Sequence, residues 1–128
     1  MEMNYEVATD KSFTEAIAAI KESLARHHFG VLHELNFQDT LRSKGVDFDQ
    51  DFHLLEVCNP HKAKEVLEQQ LDMAFFLPCK VGVFKKNGQT YIGMPLPTKL
   101  MGMVGNADLL EVAQEVEDVM VAAIEEAK

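Results

Sequence analysis

Apolar residues along this chain follow two rhythms, alternate positions and helical spacing, and the changes between them outline eight elements. Tyr5 to Ala8 reads as a short strand. Ser12-Phe13-Thr14-Glu15 has the form of a capping box, and Phe13, Ala16, Ile17, Ile20 and Leu24 then mark one helical stripe. Gly30 is placed to end that helix in the left-handed conformation. Val31 to Phe37 alternates as a strand, with Val31, His33 and Leu35 on one face and Leu32, Glu34 and Asn36 on the other. Gln38 to Lys44 suits a helical turn or two, and Gly45 with its nearby aspartates an exposed loop. Phe52 to Cys58 is the central strand. It runs straight into Asn59-Pro60, an N-cap followed by a proline fitted to the first helical position. The helix from Pro60 to Leu71 should bury Ala63, Val66, Leu67 and Leu71. Ala74 to Pro78 is a compact apolar connection. Lys80–Lys86 and Gln89–Met94 flank Asn87-Gly88, a type I′ hairpin signal. Pro95 to Gly105 suggests a short irregular helix, and Asn106 caps a last helix with a stripe from Leu109 to Ile124.

The order β-α-β-β-α-β-β-α predicts an α+β two-layer sandwich, a mostly antiparallel sheet with helices on one face. Its first six elements follow the split β-α-β sequence of a ferredoxin-like fold. The uncovered face keeps enough apolar side chains to want a cover, which points to a homodimer. A chain of 128 residues with 47% apolar content suits one domain, 1–128. The formal charge of −9, from 21 acidic and 12 basic residues, argues against partners made of nucleic acid or anionic membrane. Much of the excess lies on the last helix (Glu111, Glu115, Glu117, Asp118, Glu125 and Glu126), read as a solvated face. Met1 to Asn4 shows no secretory pattern, and no apolar run suits a membrane span. With two cysteines, the expectation is reduced thiols in a cytoplasmic protein.

Gly30-Val31-Leu32-His33-Glu34-Leu35-Asn36-Phe37, Leu54-Leu55-Glu56-Val57-Cys58-Asn59-Pro60, Leu77-Pro78-Cys79-Lys80-Val81 and the Met-rich turn before Gly105-Asn106 stand in a characteristic order. In these stretches, and from about Tyr5 to Ile124, the chain resembles the bacterial and archaeal family called domain of unknown function 302. The resemblance implies a small α+β domain, a dimer, and no assigned activity.

Candidate chemistry begins at Cys58, beside the positive end of a helix, a setting that can lower a thiol pKa. Cys79 begins the next strand, and the two thiols could share a soft metal or a reversible disulfide. Twenty intervening residues form no zinc-ligand spacing, and buried packing, the common state of a free cysteine, is the preferred account of both thiols. His33 and His53 lie on adjacent strands with Glu34 and Glu56 nearby, a set able to ligate a metal. In each His–Glu combination within one strand the two side chains face oppositely, so a site using all four needs a bulge. Glu34 and Glu56 are acids within strands, suited to proton transfer only if half-buried. His27 and His28 suit a helix C-terminus, and His61 an exposed first turn. Met94, Met101 and Met103 offer thioethers for copper(I), but methionine commonly fills irregular gaps. No phosphate loop, HExxH, GxSxG or dinucleotide fingerprint is present.

The first reading is a homodimeric domain that binds a small molecule or a metal, with Cys58, Cys79, His53 and Glu34 lining the site. One alternative is a thiol-dependent redox protein or enzyme acting through Cys58. Another is an interaction module whose product is the dimer surface itself. The residues name no cofactor and no catalytic group.

Overall fold

The computed structural model describes residues 2–128, and Met1 lies outside them. The strands are β1 (Asn4–Thr9), β2 (Gly30–Asn36), β3 (Phe52–Cys58), β4 (Cys79–Lys86) and β5 (Gln89–Pro95). The helices are α1 (Phe13–Arg26), α2 (Phe37–Ser43), α3 (Pro60–Gln69), α4 (Pro97–Gly102) and α5 (Ala107–Ala127), with a 3₁₀ segment at Leu71–Phe76. The eight main elements keep the expected order, and α2, the 3₁₀ segment and α4 are short additions. The fold is an α+β sandwich.

All neighbouring strands of the five-stranded sheet are antiparallel, in the order β1-β5-β4-β3-β2. This pairing departs from a split β-α-β pair, which would set helix-linked strands parallel. Here β3 and β4, joined through α3, are direct antiparallel neighbours. The hairpin turn is type I′ as expected, since Asn87 and Gly88 both have positive φ, 54° and 78°.

Helices α1, α3, α4 and α5 lie on one face, and α2 rests against β2 and β3, with Phe37 on the outward-facing Phe52. Helix α5 packs against α1, α3 and α4, and α1 reaches β4 and β5. Between the layers sit Ile20 and Leu24 of α1, Leu55 and Val57 of β3, Val81 and Val83 of β4, Ile92 of β5, and Leu109, Met120 and Ile124 of α5. The stripes of α1 and α5 are therefore those the periodicity marks. Ser23 adds a polar tie, donating from Oγ to the Ala123 carbonyl at 2.6 Å. Each long helix starts as its cap residue dictates. Ser12 and Glu15 complete the capping box, and Asn106 Oδ1 accepts from the amides of Asp108 and Leu109.

Four expectations need correction. His28, at φ 66°, provides the left-handed residue after α1, and Gly30 instead begins β2. Helix α3 stops at Gln69, so Leu71 falls in the 3₁₀ segment and is 76% exposed. The acidic face of α5 is only partly solvated. Glu115 bonds Lys62, Glu117 accepts from Thr98, Glu125 accepts from Tyr5, and Glu126 pairs with His27. These carboxylates fasten α5 to its neighbours.

The fourth correction concerns β2. Its register against β3 shifts between Val31 and His33, so Val31 faces Val57 while His33 faces Glu56. Leu32 is the extra residue of this bulge and is 66% exposed. Beyond it the faces exchange. Glu34 and Asn36 turn to the helix side, and His33 and Leu35 turn outward. Regular alternation would have driven the His33 imidazole toward the core, and the bulge spares it that desolvation.

Candidate functional site

Strand β3 carries Cys58 to the end of the sheet, where Asn59 caps α3 and Pro60 opens it. The local joint is as the residues predict. The thiol does not gain from it. Asn59 Oδ1 accepts from the amides of His61 and Lys62 at 3.1 and 3.3 Å, so those donors are already engaged. Burial pushes the Cys58 thiol up from its ordinary value. Cys79 is pushed up to about 11, chiefly by burial and further by the neighbouring Cys58. Both cysteines are free, and both remain protonated at neutral pH. The activation expected from the helix start is thus outweighed by desolvation. The two do come together. They border one apolar gap of about 20 Å³, with Val66, Leu77 and Val116.

Cys79 also borders a larger cavity of about 170 Å³. Cys79, Met101 and Met120 contribute to its lining. One wall is Phe75 and Phe76 of the 3₁₀ segment. Pro95, Pro97 and Leu100 form the other, and Lys80 is the one charged residue in the lining. Three short features set its shape. The 3₁₀ turn carries the two phenylalanines past the end of α3, Pro97 starts α4, and β5 ends at Pro95.

His53 and Glu34 meet elsewhere. The bulge brings Glu34 to the helix side, where its Oε2 lies 3.0 Å from His53 Nε2 and its Oε1 2.5 Å from Lys21 Nζ. The Phe13 ring stands edge-on to the imidazole, with centroids 6.4 Å apart. Lys21, and then His53, hold the Glu34 carboxyl below the usual carboxylate range. On the opposite face a second cluster forms. His33 Nδ1 lies 3.1 Å from Glu56 Oε1, and Lys80 Nζ donates to Glu56 Oε2 at 2.9 Å. Lys80 is the main cause of the lowered Glu56 pKa.

The four residues singled out from the sequence therefore divide between two places. Cys58 and Cys79 share one end of β3 and β4, while His53 lies five residues from Cys58, about 17 Å along an extended strand. The two histidines cannot share a ligand, because the sheet separates them. Among the described residues no group of three or more His, Cys, Asp or Glu side chains stands close enough to hold a metal. Met94 and Met101 are buried in the core and Met103 is 68% exposed, so the three thioethers are dispersed. No helix among the described residues is long and apolar enough to cross a membrane.

Sequence reasoning missed the lining of the cavity. Phe75 and Phe76 were visible only as part of an apolar connection, and Met101 only as filler. Whether such residues face the interior or line an opening depends on how the 3₁₀ segment leaves α3, and no periodicity reports that.

The solved structure titled crystal structure of uncharacterized conserved protein DUF302 from Bacillus stearothermophilus is similar to this chain throughout. The TM-score is 0.96 and the identity 38%, with 100% of each chain covered. No curated protein matches the chain. A family model described as domain of unknown function DUF302 matches residues 5–127. With the fold, the paired cysteines at the sheet end and this match in agreement, the chain belongs to the DUF302 family.

Proposed function

We propose that this chain is a small-molecule-binding domain that works as a homodimer, and that its ligand site is the cavity beside Cys79. The observation that carries this reading is the cavity itself, an apolar hollow of about 170 Å³ whose one charged lining residue is Lys80. Dry apolar cavities of about 150 Å³ accept a benzene-sized guest. The ligand is accordingly compact and apolar, on the scale of one aromatic ring, since the Lys80 ammonium is already engaged by Glu56. Cys79 serves as an apolar wall. The raised thiol pKa values oppose nucleophilic chemistry, and the dispersed histidines oppose a metal. Two free thiols accord with a cytoplasmic setting. Support for the homodimer comes from the half-buried aromatic side chains on the sheet face opposite α1 and α5.

Methyl NMR on protein carrying ¹³C-labelled methionine methyls tests the site, with indole and benzoate as probes. Met101 and Met120 line the cavity, whereas Met73 is buried away from it. Titration is expected to shift the first two signals and leave Met73 unmoved. Leu100→Trp, which fills the hollow, should weaken the response at least about tenfold, a loss of roughly 1.4 kcal/mol of binding. Unmoved Met101 and Met120 signals at millimolar probe would remove this reading.

A further inference from the structure

The two walls of the Cys79 cavity are held very differently. The wall from α4 is fixed. Pro97 and Met101 are buried, and the Thr98 amide and hydroxyl both donate to Glu117 Oε1, at 3.1 and 2.6 Å, tying α4 to α5. The wall from the 3₁₀ segment has one anchor. Met73 is 1% exposed, whereas Leu71, Asp72, Ala74, Phe75 and Phe76 all stand open to water. The main packing partner of the segment is α3, and no side-chain hydrogen bond caps its start. Its backbone bonds from the Met73 amide to Gln70 and from the Leu77 amide to Ala74 are local and reach no strand. Gln70 and Leu77, on either side of it, are extended, at φ −156° and −109°. One such residue joins the segment to α3, and the other leads through Pro78 into β4.

Phe75 stands apart within this wall. It borders the cavity and is yet 89% exposed. A ring at the rim of an apolar hollow, with most of its surface in water, gives up little by moving. It gains by covering an apolar guest, and the more so when the guest is itself aromatic. Lys80, the charged residue of the lining, already donates to Glu56 at 2.9 Å, so covering the hollow leaves no lone charge without a partner.

We propose that the 3₁₀ segment is a strap, anchored by Met73 and turning at Gln70 and Leu77, that lays the Phe75 ring over the Cys79 cavity once a guest is inside. This deepens the ligand-site reading and rests on it. The arrangement described above is the open state. Only a filled hollow offers the ring an apolar surface to cover, and that difference shifts the strap to the closed state. Closure holds the guest in place, so Phe75 acts on release more than on entry.

The chain has no tryptophan, so Phe75→Trp places a sole reporter on the strap. Its emission and its quenching by acrylamide are followed on the full chain during titration with toluene, and the methionine methyl signals report filling of the cavity in the same samples. As Met101 and Met120 shift, emission is expected to move to shorter wavelength and quenching to fall at least about threefold. Phe75→Ala, at an exposed position, should keep the wild-type thermal unfolding and raise the toluene dissociation constant about tenfold, mostly through faster release. Leu71→Ala, on the same segment but outside the lining, should bind toluene as wild type does. Emission and quenching that stay put while Met101 and Met120 shift would overturn the strap and spare the ligand site. Wild-type toluene binding by Phe75→Ala, or an equal loss in Leu71→Ala, would do the same. Emission that moves with protein concentration before toluene is added would show the ring covered by another protein molecule, and would also overturn the strap. Methionine signals that never move would remove site and strap together.

Discussion

Cys58 shows how two effects of similar size are decided by geometry. A helix start favours the thiolate and burial favours the thiol, and here the cap side chain has already taken the amides that would have helped. The residue types were legible in Cys58-Asn59-Pro60, but the direction of the pKa shift depends on packing that no local pattern contains. Thiol titration with a disulfide reagent should find both cysteines slow at pH 7, with Cys79 the slower and rates rising as pH approaches about 11. Fast thiolate reaction of Cys58 at neutral pH would contradict this. Gly82 and Gly93, which face each other across β4 and β5, give a second test at this scale. A methyl group at Gly93 would stand 2.8 Å from Glu6 Cγ and 3.0 Å from the Tyr5 carbonyl oxygen, whereas at Gly82 it would meet only the Phe52 ring at 2.8 Å. Backbone cannot yield as a ring can. Gly93→Ala should therefore cost about 1–3 kcal/mol in urea unfolding, and Gly82→Ala less.

At the scale of elements, the extra residue in β2 reorganises more than its own strand. Without it Glu34 would face outward, away from Lys21 and His53, and both ion clusters would be lost. Helices α1 and α5 and the hairpin were legible because each carries a strong period and a matching cap or turn. The bulge was not, since Val31 to Asn36 alternates acceptably in either register and only the pairing with β3 selects one. Glu34 has a lowered folded pKa, so its contribution is present in full above the unfolded value. It is lost as pH falls through the lower folded value. Glu34→Gln should reduce stability at pH 7 by at most about 1 kcal/mol, because the cluster is more than a third open to water. The variant should also lose less on acidification than wild type, and parallel acid-unfolding curves would count against the cluster. The end of α3 was equally hidden. Leu71 continues the helical stripe in sequence, yet the backbone leaves the helix at Gln70 with φ −156° and ψ 104°.

For the whole molecule, α5 is the seam that joins α1, α3 and α4 over the sheet, and its acidic residues complete several of those joints. Composition alone could not separate a solvated acidic face from one that ties helices together, because the partners Lys62, Thr98 and His27 come from distant parts of the chain. The outer face was legible only as an excess of apolar strand positions, and its row of rings, Phe37, Phe52, Phe84 and Tyr91, emerges once four segments are set side by side. One consequence of the strand order concerns how the chain becomes a fold. Among the described residues the first strand has one sheet neighbour, the last strand, β1 beside β5, and Lys11 donates to the carbonyl oxygen of Lys128 at 2.8 Å. Most of the sheet can assemble as a meander while the opening segment waits for residues beyond 88 to be made. Refolding should therefore fall among the slower, non-local class, in milliseconds to seconds by stopped flow.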